Sequence, residues 1–195
     1  YQLESELLKS WLKNKHINPY QIEEGEDFLI YTDDIETPNS YPNIINYLNQ
    51  FKARLEQRRE CKRGFIEWYN LQWGRRKELF EQRKIIYPYK AATNRFAIDD
   101  NAHYCSADIY ILILKDEFNS KLSLEYLLGL LNSKLYQFYF TSFAKKMSYE
   151  LYDYYPNSLL RLKIKIENQR RKELEKLVKK IMNLKIPLRI PEKSK

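Results

Sequence analysis

The run DIYILIL, residues 108–114, constrains this chain more than any other stretch. In an extended conformation it places Ile109, Ile111 and Ile113 on one face and Tyr110, Leu112 and Leu114 on the other. A strand apolar on both faces belongs inside a covered sheet, so the chain must supply partners beside it and layers over it. One cover is LSLEYLLGLLNSKLYQFYFTSF, 122–143, whose leucines and rings run nearly all round and predict a single, mostly buried helix. FAI, 96–98, and KIIYPY, 84–89, read as further strands. The fold class expected is α+β (mixed α/β): a compact domain with a central sheet and packed helices.

Elsewhere the patterning is more local. LESELLKSWLK, 3–13, predicts a short helix with Leu3, Leu7, Leu8, Trp11 and Leu12 on one face. DFLIYT, 27–32, reads as a strand, and TPNSYP, 37–42, as a loop before a helix over 43–60. FIEWYNLQW, 65–73, is helical or irregular, and RRKELFEQ is a short helix or turn. RLKIKI, 161–166, alternates basic and apolar residues, as a half-exposed strand does. ENQRRKELEKLVKKIMNL, 167–184, is an amphipathic helix with Leu174, Leu177, Val178, Ile181 and Met182 on its stripe, followed by a proline-punctuated tail. The expected division is a domain over 1–165 and a C-terminal helix and tail over 166–195. The chain opens without a methionine and reads as the C-terminal piece of something longer.

The formal charge of +8 is unevenly spread. Residues 1–51 are net acidic, 96–165 balance, and 52–95 and 166–195 hold the positive excess. Two concentrated basic segments are what a phosphate-facing surface requires. The stretch WGRRKELFEQRKIIYPYKAATNRF, 73–96, interleaves that charge with rings. Phosphate contacts are expected from Arg75, Arg76, Lys84 and Lys90; Asn94 and Arg95 are candidates for base reading, because Asn and Arg pair bidentately with adenine and guanine edges. Tyr87 and Tyr89 straddle Pro88, and an outward ring there would pack on sugar or base. Lys145, Lys146 and Tyr149 form a second basic patch after the long helix.

Other chemistries find little support. NPYQ, 18–21, lacks the second proline and the preceding apolar strand of an amino-methyltransferase turn, and only four glycines are present to build a cofactor loop. His103, Cys105 and Cys61 match no common zinc spacing, and two cysteines without CxxC spacing suit a reducing compartment. Asp99, Asp100, Asp108 and Lys115 approximate a nuclease set, but Ile113 stands where the completing acid belongs. No metal ligand and no catalytic residue is assigned. No apolar run approaches the roughly 18 residues of a membrane helix.

The order of segments ELLKSWLKNKHINPY, DFLIYT, SYPNIINYLNQFKARLEQR, WYNLQWGRRKELFEQRKIIYPY, FAIDD, Ser106-Ala107-Asp108 and YLLGLLNSKLYQFYF resembles the TaqI-like C-terminal specificity domain of N6-adenine DNA methyltransferases and single-chain restriction–modification enzymes. YLLGLLNSKL also resembles the specificity subunits of type I restriction systems. The resemblance covers about residues 5–165 and implies a target-recognition domain that grips double-stranded DNA in the major groove. Methyl transfer with S-adenosylmethionine would then belong to an upstream domain of the same chain, and the fragment would bind no cofactor itself. The implied location is the bacterial cytoplasm. A competing expectation, from charge alone, is a protein-interaction domain whose helix at 167–184 binds an acidic partner through Lys176, Lys179 and Lys180.

Overall fold

The computed structural model describes residues 2–167 and 169–184. In chain order its elements begin with strands β1 (Leu8–Leu12), β2 (Ile17–Asn18), β3 (Gln21–Ile22) and β4 (Phe28–Ile30), then helices α1 (Pro42–Asn49), α2 (Lys52–Leu55), α3 (Arg59–Lys62) and α4 (Glu78–Glu81). Strands β5 (Lys84–Pro88), β6 (Lys90–Ala91), β7 (Ala97–Asp99), β8 (Tyr104–Cys105) and β9 (Ile109–Leu112) follow. The described chain closes with α5 (Leu124–Leu131), α6 (Lys134–Thr141), β10 (Lys146–Ser148), β11 (Leu151–Asp153), α7 (Pro156–Leu159) and α8 (Arg171–Met182). Helices and small sheets mix throughout, so the fold is α+β.

The described residues divide into two compact units, one of 2–11 and 26–79, the other of 12–25, 80–167 and 169–184. In the first, the opening leucine pattern makes a strand where its spacing predicts a helix. β1 pairs antiparallel with β4, Leu8 opposite Ile30 and Ser10 opposite Phe28. Ladder partners decide such a short segment, because an isolated helix of this length is marginal in water. Leu7, Ile35 and Ile44 form this unit's core. Glu4 accepts from the backbone N–H groups of Asn43 (2.8 Å) and Ile44 (2.9 Å), capping the open N-terminus of α1. The helix expected over 43–60 is broken into α1, α2 and α3. Past α3 the backbone is held by Arg58, whose guanidinium donates to the carbonyls of Leu55, Asn70 and Trp68 at 3.0, 2.8 and 2.7 Å.

The second unit is built on the sheet β7-β5-β9. The central strand is β5, not β9. All five β5 residues are buried, with Ile85 opposite Ile98 on one side and Leu112 on the other. Of β9, Ile109 is buried while Tyr110, Ile111 and Leu112 are half-buried, as on an edge strand. The expected single helix over 122–143 is two helices. Ser123 and Ser133 each accept from the backbone N–H three residues on, at 3.1 Å, so each starts its own helix. At the break, the Asn132 amide exchanges both hydrogen bonds with the Phe96 backbone, at 3.0 and 2.9 Å. Helix α8 packs on α5 through Leu174 and Val178, against Gly129. A Cβ on Gly129 would lie 2.8 Å from a Val178 methyl, so glycine sets how closely these helices approach.

Candidate nucleic-acid interface

Antiparallel strands β10, β11 and β6 form a small ribbon in the second unit, in the order β10-β11-β6. Lys146 lies opposite Tyr152, which lies opposite Ala91; Asp153 lies opposite Lys90. The Asp153 N–H donates to the Lys145 carbonyl at 2.9 Å, which sets Lys145 and Lys90 on either side of Asp153. Directly opposed residues of a ladder share a face. Lys90 and Lys145 therefore occupy one face of the ribbon and Lys146 the other. The connection from β10 to β11 is the two-residue step Tyr149-Glu150, with Glu150 in the left-handed region at φ 55° and a register shift between Lys146 and Ser148. That turn projects Tyr149, 86% exposed, with the Lys146 ammonium 5.6 Å from its ring centre. At the other edge the Lys90 ammonium sits 4.8 Å from the Tyr89 ring, which neighbours Tyr155 at 5.9 Å.

The structure thus brings together four of the expected contact residues, Lys90, Lys145, Lys146 and Tyr149. Three others lie inside the fold, and the expectation that they face a ligand is corrected. Lys84 is fully buried on the central strand, and its ammonium pairs with Asp99 across the ladder at 2.6 Å and donates to the Phe80 carbonyl. Tyr87 packs against Phe96 (5.2 Å) and Tyr110 (5.8 Å), and burial pushes its hydroxyl well above the ordinary tyrosine range. Asn94 accepts from the Tyr154 hydroxyl at 2.7 Å and donates to the Leu131 carbonyl, so its amide serves the core. For Lys84 and Tyr87 the cause is the middle strand β5, enclosed by ladders on both sides; Asn94 lies in the loop after β6 and is enclosed by Leu131 and Tyr154. Arg95 is half-buried and donates to the Asn14 carboxamide at 2.6 Å.

Arg75 and Arg76 belong to the first unit. Arg76 is exposed, while Arg75 is half-buried and its carbonyl accepts from the Tyr31 hydroxyl at 2.9 Å. That unit also exposes Phe65 and Trp73, as well as the cations Arg59, Lys62 and Arg63. Sequence reasoning passed over these, as it did Tyr155 and Arg161 in the second unit. The signal was available for Arg161, whose alternating segment pointed to a half-exposed strand. It was not available for Phe65 and Trp73, since a ring in sequence is more often core than surface.

A buried charge cluster lies under the sheet. Asp99 accepts from Lys84, from the backbone N–H groups of Asn101 and His103 (3.0 Å each), and faces His103 Nδ1 at 2.8 Å. Burial pushes the Asp99 carboxyl up, but His103, Lys84 and the backbone donors outweigh it and hold the carboxyl below its ordinary value. His103 Nε2 faces Glu24 at 3.0 Å, and the Asp99 contact first of all raises the imidazole's pKa. Among the described residues no group of three His, Cys, Asp or Glu side chains is placed to hold a metal ion, and no helix is long and apolar enough to cross a membrane.

The second unit is thus an α+β scaffold carrying a basic and aromatic ribbon with an exposed tip. The chain belongs to the TaqI-like C-terminal specificity domain family, whose model matches residues 9–164. It is similar to the type II methyltransferase M.BstVI of Geobacillus stearothermophilus, 25% identical over 154 residues, covering 79% of this chain and 25% of that protein. It is also similar to the type II methyltransferase M.MjaIV of Methanocaldococcus jannaschii, 26% identical over 147 residues, covering 70% of this chain and 47% of that protein. The chain therefore spans between a quarter and a half of the length of these curated relatives.

Proposed function

We propose that this chain is the module that recognises a duplex DNA sequence for a type II N6-adenine methyltransferase. The observation that carries the reading is the β6–β11–β10 ribbon, with Lys90 and Lys145 on one face, Lys146 on the other and Tyr149 at its tip. Ala91 and Tyr152 pack the inner part of the ribbon on the core, so what it presents is its outer end. The exposed Lys145, Lys146 and Tyr149 there suit the phosphate-lined walls of the major groove, which admits a β-ribbon. An aromatic tip offers a flat apolar surface to sugar or base. The named activity of the relatives supports the same reading. In it, methyl transfer from S-adenosylmethionine belongs to a catalytic domain joined to this module, and the setting is the cytoplasm.

The test is binding of a labelled duplex across about 50 to 200 mM salt by fluorescence anisotropy. Affinity is expected to fall steeply with salt, since each neutralised phosphate contributes about −0.9 to the slope of log K against log salt. Lys145→Gln with Lys146→Gln is expected to flatten that slope by up to about two. Failure of the unaltered chain to bind at the lowest salt would overturn the proposal.

A further inference from the structure

Segment 161–167 follows α7, and its dominant partners are two tyrosine hydroxyls. The Tyr136 hydroxyl, from α6, donates to the Lys163 carbonyl at 3.1 Å and accepts from the Lys165 N–H at 3.3 Å. The Tyr126 hydroxyl, from α5, donates to the Lys165 carbonyl at 2.9 Å and accepts from the Glu167 N–H at 3.3 Å. Both rings are buried, so each hydroxyl acts as a fixed post that replaces a neighbouring strand. Leu162 and Ile164 pack against the core, and Arg161, Lys163 and Lys165 alternate with them on the exposed side. The expected strand is thus absent, while its inside–outside alternation is kept from Arg161 to Lys165 and ends at the exposed Ile166.

Three cations of one sign are presented along an anchored backbone, spanning about 13 Å if fully extended. Arg161 is oriented further. Its guanidinium lies 4.4 Å from the Phe143 ring centre and donates to the Phe143 carbonyl at 3.1 Å, which leaves other N–H donors outward. Phe143 precedes Lys145 by two residues, so this row of charge starts where the ribbon begins. Lys165 also meets Glu167 at 3.5 Å, an exposed pair that is weak and screened.

We infer that Arg161, Lys163 and Lys165 form a phosphodiester-backbone rail, a contact site separate from the ribbon that holds the duplex without reading bases. This rests on the proposed DNA-recognition function. A DNA strand presents phosphates at a regular interval, and each of the three cations can meet one of them. Anchoring by Tyr126 and Tyr136 settles part of the ordering cost before binding. Regular spacing and continuity with the aromatic ribbon favour nucleic acid over an acidic protein.

The experiment compares the unaltered chain with the triple variant Arg161→Gln, Lys163→Gln, Lys165→Gln, using a matched pair of duplexes, one preferred and one scrambled. The triple variant is expected to flatten the salt slope by about two to three while leaving the preference between the duplexes unchanged. An unaltered chain that binds, with a triple variant of the same slope, overturns the rail and leaves the proposed function standing. An unaltered chain that binds neither duplex overturns the proposed function itself. Loss of preference in the triple variant overturns the backbone-only role. Tyr136→Phe keeps every charge and removes one post; weaker binding with an unchanged preference supports the anchoring, and unchanged affinity overturns it. Polyglutamate that displaces the duplex as effectively as unlabelled duplex of equal charge would make the surface an acidic-protein site and overturn the rail.

Discussion

Lys84 carries a charge into a place where no water reaches it, and Asp99 directly opposite in the ladder makes that tolerable. Removing one partner of a buried ion pair strands the other, at a cost of about 3–5 kcal/mol. Lys84→Met is therefore expected to lower stability by about that amount in urea unfolding, although methionine matches its length. A change under about 1 kcal/mol would mean that His103 and the backbone donors suffice for Asp99. His103 extends the cluster with carboxylates on both ring nitrogens, an arrangement that favours the imidazolium. Its raised pKa fixes the sign of a pH dependence. The stabilisation is complete below the unfolded histidine pKa, near 6.5, and is lost as pH rises through the higher folded value. The stability gap between the unaltered chain and His103→Gln is expected to narrow from pH 5.5 to 8.5. A gap that widens over that range would show a neutral ring in the fold.

At the scale of elements, the breaks matter more than the runs. The apolar stretch 122–143 has no proline, and its composition suits one helix; Ser133 and the Asn132 amide on Phe96 end α5 and begin α6. Without that turn, Tyr126 and Tyr136 would lie on one straight helix rather than on two helices that hold successive residues of segment 161–167. Gly129 fixes the approach of α8. A side chain there meets Val178, whose branched Cβ leaves it little freedom to move aside. Gly129→Leu is expected to cost about 1–3 kcal/mol by overpacking, even though leucine favours a helix, and thermal unfolding measures it. An unchanged or raised midpoint would mean that α8 is loosely seated.

For the whole molecule, the charge map requires correction by burial. The net +8 is real, but Lys84 is spent inside, Arg58 holds a loop and Arg83 pairs with Asp100 and Glu125. Exposed cations of the second unit include Lys145 and Lys146 on the ribbon and Arg161, Lys163 and Lys165 beyond α7, whereas Lys84 of the stretch 83–96 is enclosed. Under the proposed function the ribbon and segment 161–165 are therefore expected to contribute to the salt dependence of duplex binding, and Lys84 is not. In α8, Leu174 and Val178 pack on α5, while Leu177, Lys176, Lys179 and Lys180 stay exposed. Lys179 also lies 3.7 Å from Glu125.

Several features were legible in the residues alone. Periodicity located β4, β5, β7, β9 and α8, and the ordered segments pointed to the family, because hydrophobic period and segment order are properties of the chain itself. Lys145, Lys146 and Tyr149 were legible as a surface patch for the same reason: no apolar period runs through them. Tertiary structure alone decided that β5 is central, that 3–13 holds a strand and that 122–143 is two helices. It also decided which cations of 83–96 are enclosed. A ladder partner or a buried counter-charge lies far away in sequence, so local pattern carries no mark of it, and whether a lysine such as Lys84 meets Asp99 or solvent is settled only when the strands pair.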